Sequence, residues 1–370
     1  MARFDKNIIE TLSKDRRFDG KMVKTLETSD KTVALVRVRN PLHLIALERR
    51  FRVVSEYPFI RSVGIECGLE EAIALGRMAE VEYVSGESRV HCLGDVSSEP
   101  SAFSMSCDNR LTGEGVNLCV MDTGVNLHSD LSIQKERIVH FVDIVGGEEY
   151  PYDDNGHGTF VAGVAIGNGI LSGKRICGVA QRANVVGLKV ISKDGESGTF
   201  KILDGMQWLF DNFRTFGIKV VCMSFGADPL EYADPLKIGA EMLSRSGIVV
   251  VAASGNGGEN SLKSPSISDE VISVGAVDED FSIAQFTSRG VYNGMIRPDV
   301  YAKGVKVRGV KNGGAYTVMT GTSAAAPYVA GACCLLCEKY RNITPKQAKN
   351  AILASSKNIN GNLVFDISLL

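Results

Sequence analysis

The sequence predicts an α/β protein with a parallel sheet, preceded by a smaller α+β unit. Five short runs rich in Val and Ile alternate with stretches of helical periodicity: 115–122, 184–191, 218–225, 247–254 and 270–277. Strands that are apolar along their whole length are typical of parallel sheets with helices on both faces. The 370 residues, 44% of them hydrophobic, allow a large core and a second, smaller domain.

The smaller unit is predicted from the order of its elements. Helical spacing of apolar residues favours a helix over 4–17, followed by a polar link. Beyond it, residues 31–84 contain a strand, a helix, two strands, a second helix and a last strand. The order β-α-β-β-α-β is that of the ferredoxin-like split motif. We therefore assign residues 1–30 to an N-terminal extension and residues 31–92 to a ferredoxin-like domain.

A linker is predicted between the two units. Residues 85–112 are rich in Ser, Gly, Pro and Asp or Asn and show no periodicity. We place the linker at 93–112 and the larger α/β domain at 113–370.

Composition and charge exclude several classes of partner. The net charge of −2 gives no reason to expect nucleic acid or an acidic membrane surface. Charged residues interrupt the N-terminal stretch, so it is not a secretory signal, and no window has the 18 or more apolar residues of a membrane span. We therefore expect a cytoplasmic protein without membrane association.

The nine cysteines lie mostly in apolar runs and are odd in number. This pattern is typical of reduced core thiols. Cys333 and Cys337 lie one helical turn apart, but no His or second Cys pair stands at zinc-finger spacing. We expect no metal and no cofactor.

Three polar residues in glycine-rich or small-residue turns are candidates for catalysis. Asp122 directly follows an apolar strand, His157 lies between two glycines at the start of an apolar helix, and Ser323 precedes three alanines. Each has an ordinary structural alternative, as a cap, a buried histidine or an N-cap. Together they are the three residue types that nucleophilic acyl transfer requires: a nucleophile, a proton acceptor and an acid that orients it.

Asn256 is a fourth candidate. It lies in the turn "SGNGG" that follows the strand "VVVAA". Asparagine before glycine is ordinarily a turn residue. Its side-chain amide can also donate to an oxyanion, together with the backbone N–H of Ser323 at a helix N-terminus.

The segments "VMDTGV", "DNGHGTFVAG", "AASGN" and "GTSAAAPYVAG", in that order, resemble the signatures of subtilisin-like serine proteases from about residue 110 to 358. The resemblance implies a subtilisin-like three-layer fold and peptide hydrolysis through an acyl-enzyme. It implies Ser323 as nucleophile, His157 as general base and then acid, Asp122 as its orienting partner, and Asn256 as oxyanion donor.

The same resemblance implies a substrate cleft. The segment containing Ser224, Phe225 and Gly226 is similar to the family's strand that pairs with an extended peptide, and Ser197 with Gly198 resembles the opposite wall. An ordinary sheet edge and loop is the alternative. Lys263 aligns with the floor of the first specificity pocket, where it would favour an acidic side chain; the alternative is a solvated surface lysine.

Two departures from the family pattern stand out. Ala324 replaces the methionine that commonly follows the nucleophile. In the segment "NGILSGKRICG", Lys174 and Arg175 occupy the place of a calcium loop, so a strong calcium site is not expected there.

The N-terminal domain resembles the family's inhibitor-type propeptide. The resemblance implies that it covers the active site as an intramolecular inhibitor, with a tail at about residues 84–95 lying in the cleft. If Lys263 selects acidic residues, Glu87 or Asp95 would be the cleavage point. A permanently attached regulatory module is the alternative for this domain. For the whole chain, a pseudoprotease that binds peptides without turnover is the alternative to a self-processed or regulated serine endopeptidase.

Overall fold

The computed structural model describes residues 6–97, 111–132 and 136–370, and its first part is a small helix and sheet unit. The elements of this unit are α1 (Lys6–Lys14), α2 (Gly20–Thr28), β1 (Thr32–Val38), α3 (Leu44–Glu48), β2 (Val53–Tyr57), β3 (Ser62–Cys67), α4 (Leu69–Gly76) and β4 (Val81–Ser85). The four strands form an antiparallel sheet in the order β2-β3-β1-β4. The predicted order of strands and helices is present.

Helix α2 is a difference from the sequence prediction, which placed a polar link there. Its buried residues, Met22, Val23 and Leu26, pack into the core of the small unit. Lysines, threonines and a glutamate fill the rest of this nine-residue helix, which masks its narrow apolar stripe in the sequence.

The segment after β4 also differs from the predicted linker. It forms two short strands, β5 (Arg89–Cys92) and β6 (Asp95–Ser97). Both pair with strands that lie more than 100 residues further along the chain. Local composition does not reveal such pairing. The remainder of the predicted linker, residues 98–110, lies outside the described residues.

The larger unit is built on a nine-stranded sheet. Its helices are α5 (Ser129–Ser132), α6 (His157–Ile166), α7 (Thr199–Asn212), α8 (Pro235–Arg245), α9 (Thr322–Lys339) and α10 (Pro345–Ala354). Its strands are β7 (Asn117–Asp122), β8 (Ile138–Asp143), β9 (Asn184–Lys189), β10 (Glu196–Gly198), β11 (Ile218–Met223), β12 (Phe225–Gly226), β13 (Val249–Ala253), β14 (Ile272–Val277), β15 (Gly290–Tyr292), β16 (Met295–Arg297), β17 (Val300–Lys303), β18 (Val307–Val310), β19 (Tyr316–Thr320), β20 (Ser356–Ile359) and β21 (Asn362–Phe365).

The nine strands run in the order β20-β21-β17-β14-β13-β11-β7-β9-β8, and all neighbours are parallel except β20 and β21. Successive side chains of a strand point to opposite faces. Along β7, Leu118 and Val120 therefore pack with α6, α9 and α10, whereas Cys119 and Met121 pack with α7 and α8. The predicted three-layer α/β fold is confirmed.

The two units share an apolar interface. Leu35, Tyr57, Phe59 and Ile60 of the small unit belong to the same buried cluster as residues of α7 and α8. The hydroxyl of Tyr57 donates a hydrogen bond to the carboxylate of Asp204 over 2.8 Å. The small unit thus packs on the helical layer formed by α7 and α8, on the face of the sheet opposite α6 and α9. Strand β5 then lies between β10 and β12.

None of the described helices is long and apolar enough to cross a membrane. Seven of the described cysteines are free. Cys177 is disulfide-bonded, so the expectation of reduced thiols is wrong for this residue. Unlike most of the others, it lies in a polar loop and not in an apolar run.

Candidate active site

The four candidate residues meet at the carboxyl edge of the central sheet. Asp122 ends β7, and Asn256 follows shortly after β13; β11 lies between these two strands. His157 is the first residue of α6 and Ser323 the second residue of α9. Because parallel strands present their carboxyl ends at one edge, residues distant in sequence converge there.

Asp122 and His157 form a buried pair. His157 Nδ1 lies 2.7 Å from Asp122 Oδ1, which also accepts the backbone N–H of Thr123 at 2.7 Å. The two side chains are 0% and 2% exposed. Burial alone lowers the pKa of His157, but the Asp122 carboxylate, helped by the neighbouring Cys92, raises it well above its ordinary value. The carboxylate orients the ring and favours its charged form.

Asp153 holds this pair in place, and the sequence reasoning missed it. Its carboxylate accepts the hydroxyls of Thr123 and Thr159 at 2.9 and 2.7 Å and the backbone N–H of Gly156 at 2.8 Å. The hydroxyl of Thr123 in turn accepts the N–H of Gly158. The loop after β7 is therefore tied to the start of α6. An Asp just before a glycine-rich helix start is the signal that could have identified it.

Ser323 and Asn256 face the main chain of residues 89–97, which follow the small unit and are called its tail. The carbonyl oxygen of Leu93 accepts the backbone N–H of Ser323 at 3.0 Å and the Asn256 side-chain amide at 2.7 Å. The hydroxyl of Ser323 donates to the carbonyl of Ser224 at 2.8 Å, and among the described residues it makes no hydrogen bond to His157. A carbonyl between two N–H donors beside a serine is the arrangement that the resemblance implies for a bound substrate.

Gly321 allows this close approach. Its φ of 154° lies in the region that side chains rarely adopt, and a Cβ there would lie 2.4 Å from the Leu93 oxygen. Any other residue at this position would displace the carbonyl. Glycine is thus required by both backbone conformation and space.

The predicted cleft walls flank the tail. Strand β5 pairs antiparallel with β10, which holds Ser197 and Gly198, and with β12, which holds Phe225 and Gly226. The Leu93 N–H donates to the carbonyl of Ser224 at 3.2 Å. Beyond Gly94 the chain continues as β6, paired with β19. The tail is therefore held as an extended strand on both sides of the Leu93–Gly94 peptide bond.

The pocket under the cleft holds the Leu93 side chain, which is 7% exposed and belongs to the main buried cluster. A Cβ on Gly226 would contact Leu93 Cδ1 at 3.2 Å and Lys263 Cβ at 2.6 Å, so Lys263 lies next to this pocket. Its ammonium, however, is ion-paired with the Asp228 carboxylate. Neither Glu87 nor Asp95 occupies the position of Leu93, because the strand register fixes which residue meets Ser323.

Comparison with known proteins identifies the family. The model of the subtilase family matches residues 113–367. The chain belongs to the subtilase family. This subtilase is 34% identical to serine protease AprX of Bacillus subtilis (strain 168) over 312 residues, covering 75% of this chain and 70% of AprX. It is 35% identical to subtilisin DY of Bacillus licheniformis over 264 residues, which cover 70% and 89% of the two chains.

A solved relative agrees with the fold of this subtilase. The crystal structure of a cold adapted subtilisin-like serine proteinase matches with a TM-score of 0.59 and 26% identity, covering 70% of this chain and 90% of that one. The protein is accordingly a subtilisin-like serine protease, and the expected family and enzyme class are confirmed.

The loop at the family's calcium position does not fit that ion in this subtilase. The ammonium of Lys174 donates to the carbonyl of Asn168 at 2.8 Å, and the guanidinium of Arg175 donates to the carbonyl of Ser172 at 2.9 Å. Calcium requires six to eight oxygen ligands, including carbonyls of this kind. Here two fixed positive charges already use such oxygens.

Proposed function

We propose that the protein is an endopeptidase that first cleaves its own chain between Leu93 and Gly94. The observation that supports this most directly is the Leu93 carbonyl, whose oxygen accepts from both Ser323 N and Asn256 Nδ2. Such donors stabilise the negative charge that develops on this oxygen during attack. In this proposal the small unit is a propeptide and residues 89–97 are its bound substrate segment.

The reaction begins when the Ser323 hydroxyl turns from the Ser224 carbonyl toward His157 Nε2. Once the His157 ring has lost its Nε2 proton to solvent, Oγ attacks the Leu93 carbonyl carbon. The Oγ proton passes to Nε2, and Asp122 stabilises the resulting imidazolium. The oxyanion rests between Ser323 N and Asn256. When the carbon–nitrogen bond breaks, His157 gives the proton to the Gly94 nitrogen, and Leu93 remains as an ester on Ser323.

Hydrolysis completes the cycle. A water molecule gives a proton to His157 and attacks the ester, which releases the Leu93 carboxylate and restores the Ser323 hydroxyl. Other extended peptides would then enter the cleft between β10 and β12 by the same backbone pairing. Until the N-terminal fragment leaves, it acts as an intramolecular inhibitor because β5 fills this cleft. A cytoplasmic location stays a prediction.

The test is the intact mass of the purified wild-type chain beside Ser323→Ala, with Ser13→Ala, an exposed serine of α1, as the matched control. We expect wild type and Ser13→Ala to yield fragments 1–93 and 94–370, and Ser323→Ala to remain whole. An uncut wild-type chain would support the alternative of a permanently attached regulatory module. A cut at another bond would contradict the assignment of Leu93.

A further inference from the structure

The thiol of Cys92 lies beside the imidazole of His157, in a position that the proposed reaction does not use. Cys92 ends β5, opposite Phe225, and is half-buried. One donor atom from each of Cys92, Asp122 and His157 lies within 4.8 Å of the others. A soft sulfur donor, a ring nitrogen and a carboxylate are thus brought together by the docking of the tail.

His157 contributes its Nε2 atom to this cluster. The residue is 2% exposed, and its Nε2 has no hydrogen-bond partner of normal geometry among the described residues. Nδ1 is engaged by Asp122 at 2.7 Å, and the Ser323 hydroxyl is directed to Ser224. In the neutral ring with its proton on Nδ1, Nε2 carries a lone pair for a ligand; the charged form that Asp122 favours must first lose its Nε2 proton.

We propose that the uncleaved chain binds one Zn²⁺ ion through Cys92 Sγ and His157 Nε2. Sulfur and imidazole are preferred ligands of Zn²⁺. Asp122 is an orienting partner and not a ligand, because metal-binding histidines commonly donate their second N–H to a carboxylate. Water completes the coordination. As the sulfur–zinc and nitrogen–zinc bonds form, the thiol proton of Cys92 and the Nε2 proton of the charged His157 ring pass to solvent, and nothing is oxidised or reduced.

Metal binding at this site also controls cleavage of the precursor. This part of the inference rests on the proposed self-cleavage. A metal on Nε2 occupies the lone pair that must receive the Ser323 proton, so the precursor is arrested. Cys92 lies on the N-terminal side of the Leu93–Gly94 bond and leaves with that fragment. The two ligands therefore share one site only while the tail is docked.

Binding is tested in the full-length Ser323→Ala chain, which the proposed function leaves uncut, with Co²⁺ as a spectroscopic substitute for Zn²⁺. We expect one Co²⁺ per chain and a sulfur-to-cobalt charge-transfer band that excess Zn²⁺ removes. Cys92→Ser and, separately, His157→Gln should each abolish the band. Using both ligand variants keeps the test decisive if one of them fails to fold.

His91→Gln is the matched control. His91 precedes Cys92 on the same strand and points to the opposite face. Its ring lies 3.7 Å from the Glu196 carboxylate, and both side chains are exposed. His91 and Glu196 are therefore a second possible pair of metal ligands close to the proposed site. The band should persist in this variant. Loss of the band in His91→Gln, its persistence in Cys92→Ser, or its absence from the parent chain would overturn the proposed site.

Regulation is tested separately with the cleavable chain. Added Zn²⁺ should slow the appearance of fragment 94–370 at least tenfold, and Cys92→Ser should remove this sensitivity. An equal rate with and without Zn²⁺ overturns the arrest. A chain that is never cut under any condition overturns the proposed function instead, and the cobalt result in Ser323→Ala still decides the metal site.

Discussion

The Leu93 side chain tests which residue the enzyme prefers before the cleaved bond. An acid-selecting pocket and an apolar pocket predict opposite results for Leu93→Asp. The sequence suggested that Lys263 selects an acidic residue. In the structure the pocket holds a leucine that is 7% exposed, and the Lys263 ammonium is ion-paired with Asp228. An aspartate here would lose the apolar contact and place a carboxylate beside an already neutralised lysine.

The magnitude follows from the burial of Leu93. Burying a leucine side chain is worth about 1.5–3 kcal/mol, and each 1.36 kcal/mol in a barrier is tenfold in rate, so Leu93→Asp should mature roughly 10–150-fold more slowly. Desolvation of the carboxylate adds to this loss. Leu93→Met nearly conserves volume and should cost less than about 1.5 kcal/mol, which makes it the control.

The assay is the time course of precursor loss after dilution from denaturant, followed by intact mass. Folding of each variant is checked separately in the Ser323→Ala background, so that slow folding is not mistaken for slow chemistry. If Leu93→Asp matures as fast as wild type or faster, the pocket selects acids and our assignment of Lys263 to the Asp228 ion pair is wrong.

Three further outcomes are expected. Asn256→Ala removes one donor to the Leu93 oxygen and should slow cleavage by about 10²–10³-fold, the loss known for such a donor in subtilisin itself; an unchanged single-turnover rate contradicts the proposed role. Gly94→Val adds a Cβ 2.8 Å from Met319 Sδ and should slow cleavage roughly 5–150-fold, the equivalent of the ~1–3 kcal/mol cost of overpacking; cleavage at the wild-type rate refutes this packing. Tyr57→Phe removes the hydrogen bond to Asp204 and should lower the free energy of unfolding of uncut Ser323→Ala by about 1.5–3 kcal/mol, measured by denaturant titration. An unchanged denaturation midpoint would mean that this hydrogen bond contributes nothing to stability.

The sequence was informative wherever local chemistry specifies structure. Apolar runs predicted the parallel strands, and the glycine-rich turns around Asp122, His157, Asn256 and Ser323 predicted which residues the structure brings to one edge of the sheet. These features are local, since strand burial and turn conformation depend on residues only a few positions apart. The weaker signal of α2 was missed because its apolar stripe is only three residues wide.

The tertiary structure alone decided what lies opposite Ser323. Strand register sets Leu93, and neither Glu87 nor Asp95, between the two N–H donors; a shift of one residue would present a different carbonyl. The same pairing brings Cys92 to His157, and the fold brings Asp228 to Lys263. These partners are separated by 35 or more residues, and nothing in the local sequence encodes their distance. The family and the candidate tetrad could thus be read from the chain, whereas the bond at the nucleophile depended on how the two units dock.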